Sequence, residues 1–278
     1  MPPIVDWDDA YANTPHIPGG EGYPARWAAA AAAFRAGTGG RLREGIAYGS
    51  HPRQRFDLFL PEGVPAGLVI FVHGGYWRAF DRGHWSHLAA GPLARGWAVA
   101  VPGYVLAPEA RIAAITATIR EAIAAAAAEV AGPIRLTGHS AGGHLVARQI
   151  CGDSLLPEAV MGRIERVVPV SGLFDLRPFL RTQMNEALQL DLFEARAESP
   201  ALTEVRRAVP VDAWVGGDER PEFLRQSALL ANVWTGLGLD MRLTVAPGRH
   251  HFDVIEGLED PASPLVEAVV GPVVGRAA

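Results

Sequence analysis

The chain has 278 residues, 49% of them hydrophobic and 20% charged, a balance that permits one sizeable core. A net charge of -5 offers no cationic footprint for a phosphate backbone or an anionic bilayer, so neither nucleic acid nor a membrane is an expected partner. Lysine is absent, which removes a P-loop lysine and a lysine Schiff base, and the single Cys151 excludes an internal disulfide and any CxxC zinc or redox motif.

The opening stretch, "MPPIVDWDDAYANTPH", is acidic and lacks an apolar h-region, so it does not read as a signal peptide, and with the lone cysteine a cytoplasmic setting is expected. The alanine-rich runs Trp27–Phe34 and Ala122–Val130 are far shorter than the roughly 18 apolar residues of a membrane span and read as ordinary helices. The first of these helices ends at the "GTGG" of Gly37–Gly40.

From there strand-like and helical segments alternate. "RFDLFLP" (Arg55–Pro61) has the pattern of a half-exposed strand, while "LVIFV" (Leu68–Val72) and "WAVAVP" (Trp97–Pro102) are continuous apolar runs suited to a sheet covered on both faces. His84–Arg95 reads as a helix stopped by Gly96, and Arg111–Val130 reads as a second helix followed by the strand "PIRLTG". Further strands are expected at Arg166–Gly172, Val211–Gly217 and Met241–Gly248, with a helix over Glu222–Gly236. Such alternation predicts one α/β domain spanning residues 1–278, with a mostly parallel central sheet and helices on both faces. The stretch 178–210 breaks the rhythm and is expected to be an insertion that caps a pocket.

The chemistry concentrates in "GHSAG", Gly138–Gly142, where Ser140 falls at a strand-to-helix turn between small residues. A turn that sharp projects the hydroxyl above the sheet at a helix N-terminus, which is how a nucleophile is presented. A hydroxyl needs a histidine base held by a carboxylate. "PGRHHFDVIEGL" follows the last strand and offers His250 or His251; "VDAWVGG" is followed by Asp218 and Glu219, either of which qualifies as the acid. The order serine, acid, histidine is the one this strand-turn-helix chemistry uses. "FVHGGYW" ends the Leu68 strand with Gly74 and Gly75, whose amides, together with that of Ala141, are the candidate oxyanion donors. Tyr76 and Trp77 follow them and are candidate substrate contacts. Asp175, after an earlier strand, is read as structural, with a weaker reading as the triad acid.

Histidines elsewhere attract plainer readings. His84 and His87 have helical metal-ligand spacing but no evident third ligand, so no metal is expected; His73 is expected to order the Gly-Gly loop, and His144 to pack inside the nucleophile helix.

With "HGGYW" (His73–Trp77), "GHSAGGHL" (Gly138–Leu145), "ERPEFLRQS" (Glu219–Ser227) and "HHFDVIE" (His250–Glu256) in view, the chain resembles the α/β-hydrolase family, and within it the arylformamidase (kynurenine formamidase) branch and its bacterial esterase relatives. The resemblance runs from about Arg55 onward and extends weakly into "YANTPHIPG". It implies Glu219 and His251 as the acid and base, with glutamate standing where the animal enzymes have aspartate. It further implies a cofactor-independent serine hydrolase acting on a small-molecule ester or aryl formamide through an acyl-enzyme, with activity lost as His251 takes up a proton. A broad carboxylesterase and a non-catalytic binding module on the same scaffold are the rival readings, and the oligomeric state stays open, a homodimer being one option.

Overall fold

The computed structural model describes residues 4–272. Eight strands form one sheet: β1 (Leu42–Ala47), β2 (Arg55–Phe59), β3 (Leu68–Val72), β4 (Ala98–Pro102), β5 (Ile134–His139), β6 (Ile164–Val170), β7 (Val211–Gly216) and β8 (Met241–Ala246). They lie in the order β1-β2-β4-β3-β5-β6-β7-β8. The two pairings at the β1 end are antiparallel, and every other neighbouring pair is parallel.

Burial on both faces explains the continuous apolar strands. In β3, Leu68, Ile70 and Val72 join one core cluster with the helices Ile112–Glu129, Ala141–Arg148 and Pro221–Gly236. Val69 and Phe71 point to the opposite cluster, with Trp27 of the helix Tyr23–Thr38 and Leu265 and Val266 of the helix Pro264–Val270. Only a strand apolar at every position can serve two cores.

One expectation is corrected. The helix expected over His84–Arg95 is a run of short turns: 3-10 segments at Arg82–His84 and Ser86–Ala89, then a single α-helical stretch at Ala90–Ala94. Pro92 cannot donate to a helical ladder, and Trp85 is buried against Trp27 with ring centroids 4.7 Å apart, so aromatic packing sets this segment's path. The edge strand β1 had no sequence signal because Arg43, Glu44 and Gly45 break its apolar pattern, and Gly45, at φ 67°, interrupts its register with β2. The insertion between β6 and β7 consists of short helical turns, Arg177–Arg181, Asn185–Leu188, Leu192–Ala197 and Pro200–Leu202.

Candidate active site

Ser140 follows directly on β5 with φ 56° and ψ -118°, a strained conformation for a residue with a side chain. Its amide is held by the Val170 carbonyl at 2.8 Å, and the chain turns at once into the helix Ala141–Arg148. Gly142 allows that turn: a Cβ there would stand 1.9 Å from the Val72 carbonyl oxygen. The sequence therefore selects glycine because strand and helix backbones touch.

The candidate acid and base follow β7 and β8. Glu219 is buried and accepts from His251 Nδ1 at 2.6 Å through Oε2. Its other oxygen, Oε1, accepts from the Gly216 amide at 2.7 Å and from the Ser171 hydroxyl. Every oxygen of the carboxylate is occupied, so its orientation is fixed. Asp218, by contrast, is exposed, and its amide ties the β7 turn to the Arg249 carbonyl at 2.9 Å. His250 turns away toward Tyr23, whose hydroxyl lies 3.1 Å from Nε2, while its Nδ1 accepts from the Phe252 and Asp253 amides. Of the paired alternatives, the fold brings Glu219 and His251 together. Asp175 is engaged elsewhere, bonded to the Arg177 guanidinium at 2.8 and 2.9 Å.

Ser140 and His251 line one cavity of about 470 Å³. No hydrogen bond joins Ser140 Oγ to the His251 ring in this structure; such contacts are often loose without substrate and tighten in the reacting complex. Gly75 lines the same cavity at φ 109°, and Tyr76 and Trp77 continue the left-handed path at φ 49° and 57°. Gly74 packs behind, where a Cβ would lie 3.0 Å from Ser140 Cβ and 2.8 Å from the His139 carbonyl oxygen. The loop is thus pressed against Ser140, and backbone amides are the groups it can present there.

The two aromatic candidates separate. Tyr76 lines the cavity, accepts from Asn13 Nδ2 at 3.3 Å and donates to the Tyr11 carbonyl. Trp77 does not line it: fully buried, it donates to His144 Nδ1 at 3.2 Å and packs on Phe179, which makes it core. The expected cap is also relocated. Of the insertion, Met184 reaches the cavity, whereas Tyr11, Asn13, Trp27 and their neighbours in the N-terminal segment supply much of its wall. The insertion carries Phe179, Leu188 and Leu190 into the core instead, while Phe193 is exposed.

Other buried histidines stay neutral. Burial lowers His73 to about 4 and His144 to about 3, and it pushes His139 well below the ordinary histidine range. His73 stacks on Tyr104 at 4.3 Å, and Tyr104 donates to the His73 carbonyl at 2.9 Å, which steadies the Gly-Gly loop. His84 Nδ1 sits 3.2 Å from the Asp81 carbonyl, and among the described residues no group of three or more His, Cys, Asp or Glu is placed to hold a metal. Neither Ser171, His139 nor Asn13 was visible as a site residue in sequence. Ser171 had a faint signal, since "VSG" ends β6 at the edge where Ser140 sits.

Residues 56–211 match the BD-FAE family model. The chain belongs to the BD-FAE family, on an α/β-hydrolase fold. Within this BD-FAE chain the matched stretch includes the Gly-Gly loop and Ser140, with Glu219 and His251 beyond it. It is 29% identical over 226 residues to kynurenine formamidase from Danio rerio, covering 77% of this chain and 76% of that protein. The Drosophila melanogaster kynurenine formamidase is 29% identical over 219 residues, covering 73% of each. Among solved structures, a protein from Silicibacter sp., described only provisionally as a thioesterase, superposes with a TM-score of 0.92 at 53% identity, covering 96% of this chain and 99% of that one. Esterase B from Lactobacillus rhamnosis superposes at 0.67 with 18% identity, over 89% and 91% of the two chains, a likeness of fold. Among the described residues no helix is long and apolar enough to cross a membrane.

Proposed function

We propose that this protein is a serine hydrolase of small esters and aryl formamides, with Ser140 as nucleophile, His251 as general base and Glu219 as the group that orients His251. The observation that carries the reading is convergence: Ser140 after β5 and His251 after β8 line one cavity, and Glu219 after β7 holds His251 from behind at 2.6 Å. His251 Nε2 takes the Ser140 proton as Oγ bonds to the acyl carbon, and the amides of Gly74, Gly75 and Ala141 receive the developing oxyanion. The imidazolium then gives its proton to the leaving amine or alcohol, and water attacks the acyl-serine by the same route in reverse.

The aryl-formamide preference draws support from the kynurenine formamidase relatives and from the cavity wall, where Trp27, Phe80, Trp85 and Phe252 offer aromatic surface to a planar leaving group. The test compares kcat/KM for N-formyl-L-kynurenine, p-nitrophenyl acetate and a short acyl thioester, with Ser140→Ala as the blank. A serine-dependent kcat/KM above roughly 10⁴ M⁻¹s⁻¹ on the formamide supports the full reading. Turnover of the activated ester alone makes the protein a broad carboxylesterase, and a thioester rate exceeding the other two makes it a thioesterase. A fluorophosphonate probe that labels neither wild type nor variant would make it a binding module.

A further inference from the structure

We propose that His139, the residue before the nucleophile, is a positioning residue that locks the loop carrying His251 to the strand carrying Ser140. The proposal rests on the serine-hydrolase reading above. His139 ends β5, is 3% exposed, and places Nε2 2.8 Å from the main-chain oxygen of His251, the rings lying 4.6 Å apart between centroids. A carbonyl oxygen only accepts, so Nε2 carries the proton. In the neutral ring Nδ1 is then bare, and it has no hydrogen-bond partner among the described residues. Burial keeps the ring uncharged, so His139 is a fixed donor and does not serve as a second titrating base.

The His251 loop has several other ties, and none of them refers it to the nucleophile. Glu219 holds His251 Nδ1, Phe223 covers the ring at 4.2 Å, the Asp218 amide holds the Arg249 carbonyl, and Asp253 holds the His250 amide. Those contacts come from the β7 turn, the helix Pro221–Gly236 and the loop itself. His139 is the tie that comes from β5. Without it, His251 keeps its carboxylate and loses its register on Ser140. Misplacement of about 1 Å at a reacting pair can cost on the order of 10²-fold, and the loss falls on the chemical step more than on binding.

The decisive pair is His139→Gln and His139→Met, side chains of similar length that differ in having a donor where Nε2 stood. His139→Met is expected to lose about 10- to 100-fold in kcat with KM within about twofold, and to react with a fluorophosphonate correspondingly slowly. His139→Gln is expected to retain kcat within about fivefold. Equal kcat for the two variants, whether both near wild type or both inactive, overturns the proposal. A second measurement needs no variant and does not depend on folding of either: in ¹⁵N spectra of the wild type, His139 should remain the neutral Nε2–H tautomer from pH 8 to pH 5. Titration in that range, or the other tautomer, overturns the proposal as well. Failure of the underlying hydrolase reading would show earlier and separately, as absence of Ser140-dependent labelling in the wild type.

Discussion

The N-terminal segment Asp6–Gly22 and the insertion 178–210 lie at the same edge of the sheet, yet they attach to it by opposite means. The insertion is nailed down by burial. Phe179, Leu188 and Ala195 are in the core, Glu198 meets Arg148 at 3.1 Å and Thr116 at 2.6 Å, and the Glu198 carbonyl accepts from His144 at 2.7 Å. The N-terminal segment buries Tyr11, whose hydroxyl donates to Glu222 at 2.8 Å, together with Ile17 and Asn13, and its remaining side-chain ties are polar contacts nearer the surface. Asp9 pairs with Arg220, the neighbour of Glu219, Asp8 accepts from the Gln183 amide at 2.8 Å, and Asn13 reaches Tyr76. A segment with that attachment can shape a cavity and adjust to its contents, whereas a segment with buried charge is committed to the fold.

The largest expected effect lies on the insertion side. Glu198→Ala strands Arg148 in a buried site, still bonded to Asp153 at 2.8 and 2.9 Å, and should cost about 3 kcal/mol in urea unfolding while kcat/KM per folded molecule stays within about twofold. A large loss of kcat/KM with unchanged stability would erase the distinction between the two segments.

Acid should reach the insertion next. His144 holds the Glu198 carbonyl, and its folded pKa of about 3 lies below the ordinary 6.5. The unfolded chain therefore takes the proton first, so the contribution is complete above about 6.5 and declines as pH falls toward 3. Between pH 7 and pH 5 the loss attributable to this ring should be about 2 kcal/mol, and unfolding curves of His144→Gln should lack that part of the slope.

On the N-terminal side the effects should be smaller and should appear in KM. Tyr76→Phe removes the hydroxyl that joins Asn13 to the Tyr11 carbonyl, and is expected to cost about 1 kcal/mol in stability and raise KM about fivefold with kcat nearly unchanged. Arg220→Ala breaks a partly exposed pair with Asp9 and should change stability by less than about 1 kcal/mol, raising KM about twofold and less so at high salt. A kcat effect from Arg220→Ala larger than its KM effect would mean that the segment acts on Glu219 and not on the cavity wall.

Much of the fold was legible because period and punctuation are local properties. The buried strands β3 and β4 are apolar at every position, and the helices Tyr23–Thr38 and Ile112–Glu129 end where glycine or an extended residue stops them. β1 and the turns around Trp85 were illegible for the complementary reason: one is stabilised by its neighbour's backbone, the other by rings far away in sequence. The candidate site was legible to the same extent. Ser140 announces itself because a tight turn demands glycine at fixed offsets, whereas Tyr76 and Trp77, adjacent and alike in type, go to cavity and core respectively.

By itself, then, the sequence determined the alternation of strands and helices, the position of the sharp turn at Ser140 and the order of serine, acid and histidine, since each follows from residue size, polarity and spacing along the chain. The tertiary structure brought Glu219, not Asp218, together with His251, not His250, placed Ser171 and His139 behind them, and gave part of the cavity wall to the N-terminal segment. Those outcomes depend on which side chains the packed sheet turns toward one another, and residues 32 positions apart, such as Glu219 and His251, have no local pattern to record it.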